Sequence, residues 1–105
     1  MTARDDADRP AGDDAIARLR REIDALDDAL VPLLEARVRV AIALGEEKRR
    51  RGRALRDTPR EAEILARLTP RLETLEPAEL AVVYRALMAV CLDVQTRATR
   101  AEPEA

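Results

Sequence analysis

Histidine, phenylalanine and tryptophan are missing from this chain of 105 residues, which has a single Tyr and a single Cys. Without His, any catalysis at neutral pH proceeds without an imidazole that titrates there. With one aromatic ring the core must be Leu, Ile, Val and Ala, a set that suits interdigitating helices. One Cys excludes an intrachain disulfide and fits a reducing compartment. Gly is scarce, at three residues, and no stretch alternates apolar with polar in the manner of a strand. The expected fold class is all-α. No apolar run reaches membrane-spanning length. Met1 to Asp13 is polar and lacks the apolar centre of a secretory signal, so a cytoplasmic location is expected. A formal net charge of −2 gives no field that would draw the whole protein to nucleic acid or to a membrane.

What is present is one long seam. Ile16, Leu19, Ile23, Leu26, Leu30, Leu33, Arg37, Val40, Leu44 and Lys48 follow each other at three- and four-residue steps, the spacing of an α-helix with one apolar stripe. Met1 to Gly12 reads as a disordered lead with Pro10 and Gly12 and no periodicity. Asp13 or Asp14 is the expected N-cap, and the helix is expected to run to about Arg51, where Gly52 ends it. Such a helix is about 55 Å long at the usual rise per residue, whereas a compact chain of this size has a radius of gyration of about 13 Å. The helix overshoots its own domain and its seam stays wet; an intertwined dimer is the simplest repair. Pro32 falls inside the helix and is expected to kink it, with a break at Val31 as the alternative.

After a short connection, Gly52 to Asp57, the run Thr58-Pro59-Arg60-Glu61 predicts a second helix: Thr58 as cap, Pro59 at the first position, Glu61 completing a capping box. It should extend through Ile64, Leu65 and Leu68 to about Thr69, with Pro70 closing it. Pro77 opens a third helix with Leu80, Val83, Leu87, Val90 and Val94 as its seam, fraying near Thr99. The expected organisation is a lead over 1–12, one helical domain over 13–99 and a loose tail over 100–105.

Two members of the first seam are cations. Arg37 admits two readings, a structural ion pair or snorkelling side chain and an anion site. Lys48 follows on the same face, roughly 16 Å further along in Cα terms, and two long side chains leaning together from those positions can bracket a small dianion. Arg60 and Glu61 are explained equally by a solvated Arg and a cap, and Asp57 by a turn. Cys91 and Gln95 lie one turn apart on the edge of the apolar face of the third helix. Cys91 reads as a small core residue, whereas the Gln95 amide needs a partner, for which a bound ligand is a candidate. The basic run Lys48-Arg49-Arg50-Arg51-Gly52-Arg53 has the composition of a nucleic-acid patch. No aromatic interleaves with it, however, and it sits at a helix C-terminus, where basic residues are favoured anyway.

Leu19-Arg20-Arg21-Glu22-Ile23-Asp24-Ala25-Leu26-Asp27, Leu33-Leu34-Glu35-Ala36-Arg37, Gly45-Glu46-Glu47-Lys48 and Arg56-Asp57-Thr58-Pro59-Arg60-Glu61 together resemble the all-helical AroQ class of chorismate mutase, with Leu19 to Glu61 aligned without a gap. The resemblance extends from Ile16 to about Arg97, and in the third helix it runs through Cys91 and Gln95. It implies an intertwined homodimer of three-helix chains with two equivalent sites, converting chorismate to prephenate on the way to Phe and Tyr. By position, Arg37 and the other subunit's equivalent of Arg20 would hold substrate carboxylates. Lys48 would reach a carboxylate and the ether oxygen, and Gln95 the same ether oxygen. Glu61 and the backbone at Asp57 would meet the ring hydroxyl, and Arg60 would line the site. Cys91 stands where Ser is expected, and a thiol is the weaker donor.

A pericyclic step of this kind needs no nucleophile, metal or cofactor. It needs a flexible dianion held in a reactive shape and donors where the breaking C–O bond leaves negative charge. Relatives on the same fold, a 4-amino-4-deoxychorismate mutase and an isochorismate pyruvate-lyase, are the nearest alternatives. A non-catalytic helical dimerisation module would explain the seam but not Arg37, Lys48 and Gln95 together.

Overall fold

The computed structural model describes residues 11–101. Within them lie three α-helices, α1 (Ala11–Arg50), α2 (Thr58–Leu68) and α3 (Pro77–Ala101), and a short 3-10 turn at Thr69–Arg71 after α2. The described residues contain no strand. The expected lead and tail lie outside them, except that Ala11, Gly12, Arg100 and Ala101 are helical. Asp13 and Asp14 fall in the first turn of α1, not at its cap, where their charge still complements the exposed N–H groups.

The chain forms two compact units, residues 11–36 and residues 37–101 as described. The first is the N-terminal part of α1. Its seam residues are exposed, from Ile16 at 48% to Leu26 at 69%, so this stretch buries little apolar surface within its own chain. Pro32 lies inside α1, which continues through it; a break at Val31 does not occur.

In the second unit, α1 stops where Gly52 permits it. Gly52 has φ 67°, a left-handed conformation that costs a residue with a Cβ far more. Its N–H bonds to Arg49 O at 3.1 Å, and Arg53 N–H reaches back to Lys48 O at 2.8 Å. These two bonds make a Schellman closure that satisfies carbonyls otherwise orphaned at the helix end.

The start of α2 differs from expectation by one residue. Asp57, not Thr58, is the N-cap, its Oδ1 accepting from Arg60 N–H at 3.0 Å. Asp caps better than Thr, and the shift moves Glu61 out of the capping-box position, leaving its carboxylate free for other partners. At the start of α3, Glu79 Oε1 accepts from Glu76 N–H at 2.8 Å, which is the backward half of a capping box.

The α3 seam is also corrected. Leu80 is buried as expected, but Val83 and Val90 are 56% and 53% exposed. The residues that α3 buries within the chain are Leu80, Met88, Cys91 and Gln95, spaced 80-88-91-95 along one stripe. That stripe meets residues 37–45 of α1 on one side and α2 on the other. Of the neighbouring stripe, Val83 and Val90 are left facing outward, and Leu87 and Val94 are half-buried.

Candidate active site

Local structure delivers the polar groups to one place. Helical spacing puts Arg37, Ala41, Leu44 and Lys48 on one face of α1. The Schellman turn and the Asp57 cap bring the 53–61 segment back past Lys48. The buried stripe of α3 adds Met88, Cys91 and Gln95. Arg37, Lys48, Asp57, Arg60, Glu61, Cys91 and Gln95 all line a single pocket of about 110 Å³. Every expected site residue is therefore at this pocket except Arg20, which belongs to the 11–36 unit.

Arg37 is half-buried and held from two directions by α3. Its Nη1 donates to Cys91 Sγ at 3.1 Å, and its guanidinium carbon lies 5.9 Å from the centroid of the Tyr84 ring, within the range of a cation–π contact. Lys48, also half-buried, donates from Nζ to Leu55 O at 2.9 Å. Neither cation has a carboxylate within salt-bridge distance among the described residues. Other arginines among the described residues also lack an ion pair, but Arg37 and Lys48 are both half-buried and line the same pocket. A half-buried positive charge without a counter-ion is costly, and a bound anion removes that cost.

Gln95 is 6% exposed, and its Nε2 donates to Ala41 O at 2.7 Å. An amide nitrogen carries two hydrogens, so one remains for the pocket. Glu61 stands 3.6 Å from Arg56, with its side chain 30% exposed. Arg60 is the loosest member: its Nη1 pairs with Glu63 at 3.4 Å on an open surface. Such exposed pairs add little stability, which leaves Arg60 free to reorient. Among the described residues no group of three or more His, Cys, Asp or Glu side chains is placed to hold a metal ion, and no helix is long and apolar enough to cross a membrane.

Sequence reasoning missed Tyr84, Leu55 and Ala41 as partners of the charged and amide groups. Two of these act through backbone carbonyls, which carry no residue-type signal. Tyr84 does have one, as the only aromatic side chain in the protein.

The family model for chorismate mutase type II matches residues 19–96. Among solved structures, chorismate mutase from Helicobacter pylori in complex with prephenate superposes with a TM-score of 0.80 at 30% identity, covering 86% of this chain and 99% of that one. Chorismate mutase from Thermus thermophilus gives 0.76 at 26% identity, covering 79% and 96%. A conserved hypothetical protein from Pyrococcus furiosus gives 0.64 at 30%, covering 77% and 95%. No curated protein matches the sequence significantly.

Proposed function

The chain belongs to the chorismate mutase type II family and is an isomerase, and from that premise we propose how its own residues rearrange chorismate to prephenate. The observation that carries the reading is the pair of half-buried cations, Arg37 and Lys48, lining one pocket without a carboxylate partner among the described residues. Chorismate is a dianion, and it supplies the missing counter-charge.

Arg37 binds a substrate carboxylate, its guanidinium steadied by Cys91 and Tyr84. Lys48 gives up Leu55 O and turns its ammonium to a carboxylate and the ether oxygen. Gln95 donates its second amide hydrogen to the same oxygen. As the C–O bond breaks and the new C–C bond forms, electron density collects on that oxygen, and fixed donors there stabilise the transition state more than the ground state. Glu61 accepts the hydrogen of the ring hydroxyl, the Asp57 backbone meets the same hydroxyl, and Arg60 closes the rim. Because the step is intramolecular, folding the substrate into its reactive shape supplies much of the remaining acceleration.

The second carboxylate is left for Arg20 of a partner subunit, in an intertwined homodimer that covers the exposed seam of α1. The exposure of Leu26, Leu33 and Val40, each above 65%, supports this assembly, since apolar area of that extent is stabilised by burial at about 25 cal/mol per Å².

Purified protein assayed side by side with chorismate, isochorismate and 4-amino-4-deoxychorismate tests the reading. Prephenate formation from chorismate, with turnover of the other two substrates far slower, is expected. Faster release of pyruvate from isochorismate, or faster turnover of the amino analogue, would reassign the substrate. Chorismate should also raise the melting temperature, as a ligand of the native state must.

A further inference from the structure

Gly45 sits in the interior of α1, where glycine is the poorest helix former after proline, and it is buried. Its surroundings explain what keeps an alanine out. A Cβ built on Gly45 would lie 3.1 Å from Gln95 Cγ, 3.2 Å from Gln95 Cβ and 3.4 Å from Gln95 Cδ. All three contacts are to one side chain, and the two shortest are to its root. The Cβ of Gln95 moves only with the α3 backbone, and the Cγ moves only by turning the whole side chain. Either motion carries the amide away from Ala41 O, on which Nε2 is held at 2.7 Å.

The register of the two helices makes this arrangement tight. In an α-helix the residue whose N–H bonds to the Ala41 carbonyl is the one four positions later, and that residue is Gly45. The carbonyl that Gln95 uses therefore lies directly over the glycine, and Gln95 can reach it only across a bare Cα.

We propose that Gly45 is a positioning residue for the rearrangement: by lacking a Cβ it admits the Gln95 side chain to Ala41 O and so aims the second amide hydrogen at the breaking C–O bond. The inference rests on the chorismate mutase reading. Gly45 touches no substrate atom and acts entirely through Gln95.

A double-mutant cycle in the intact protein tests it. Misplacing a reacting group by 1 Å can cost about a hundredfold, so Gly45→Ala, which displaces the amide by less, should lower kcat about tenfold with little change in KM, the pattern of a lost transition-state interaction. In a Gln95→Ala background the same change should cost less than about twofold, because the Cγ, Cδ and amide it would displace are gone and alanine keeps only the Cβ. A wild-type kcat for Gly45→Ala, or an equal fold-loss in both backgrounds, would overturn the proposal. If Gly45→Ala does not fold, the double variant decides. Folding restored by Gln95→Ala, with turnover equal to that of Gln95→Ala alone, places the clash on the Cγ and Cδ that carry the amide; a double variant that also fails to fold places it on the Cβ that alanine keeps or on the backbone, and overturns the proposal. A wild-type protein that leaves chorismate unchanged would instead remove the activity itself, an outcome distinct from all of these.

Discussion

The Lys48 ammonium donates to the Leu55 carbonyl at 2.9 Å, so the residue at the end of the α1 seam is tied to the connection that follows it. Its own carbonyl accepts from Arg53 N–H at 2.8 Å. Lys48 thus secures the 51–57 connection through both its side chain and its backbone, and only the side-chain bond is released when a ligand competes for the ammonium.

Lys48→Ala should cut turnover at least about a hundredfold, the scale of losing a donor to developing charge. The protein should remain folded, with a stability loss of about 1 kcal/mol for the single hydrogen bond. Steady-state kinetics with a thermal melt checks both. Near-wild-type turnover would make Lys48 a surface residue with no part in the chemistry.

Gln95→Glu should move activity into acid. A carboxylate beside Ala41 O meets a lone pair where the amide met an acceptor, so burial and that carbonyl raise the folded-state pKa of the new side chain. A raised folded-state pKa means that its stability is full below the unfolded pKa and is lost as pH rises through the folded one. The protonated acid can donate; the ionised form cannot. Wild type should vary little across neutral pH, while Gln95→Glu gains both activity and melting temperature as pH falls. Parallel pH profiles for the two proteins would remove Gln95 from the ether oxygen.

Cys91 accepts from Arg37 at 3.1 Å and is buried at 6% exposure. Cys91→Ser keeps an acceptor for the guanidinium and adds a stronger donor, so KM should stay the same or fall. Cys91→Ala removes the acceptor and should raise KM by up to about tenfold, the range of one net hydrogen bond. An alanine variant with wild-type KM would show that Tyr84 alone orients Arg37.

Arg20 provides the test of a shared site. It precedes Arg37 by 37 − 20 = 17 residues, about 25 Å along a helix, too far for both side chains of one chain to grip a ligand the size of chorismate. Arg20→Ala and Lys48→Ala should each be nearly inactive. Unfolded, mixed equally and refolded, they should give half mixed dimers, each with one doubly damaged site and one intact site. About a quarter of all sites then recover, given symmetric pairing. Mixtures that stay as inactive as their parents, with heterodimer confirmed by mass, would exclude the shared site.

The end of α1 at Gly52, the start of α3 at Pro77, the all-helical class and the two seam cations follow from local chemistry. Gly alone takes φ 67° cheaply, Pro tolerates a helix start, and a cation in an apolar stripe is conspicuous by type. Thr58 is the expected cap of α2, and the structure gives that place to Asp57 because its side chain is the one that reaches Arg60 N–H. The facing stripe of α3 was not local at all. Leu80-Val83-Leu87-Val90-Val94 is a more apolar line than Leu80-Met88-Cys91-Gln95, and helical periodicity ranks it first because it scores Gln95 as polar. The tertiary structure selects the second stripe because Ala41 O accepts the Gln95 amide and Gly45 leaves room for its side chain. Both partners lie some fifty residues earlier in the chain. Periodicity is a property of one helix, whereas the fit of an amide against a bare Cα and a carbonyl exists only once two helices are packed.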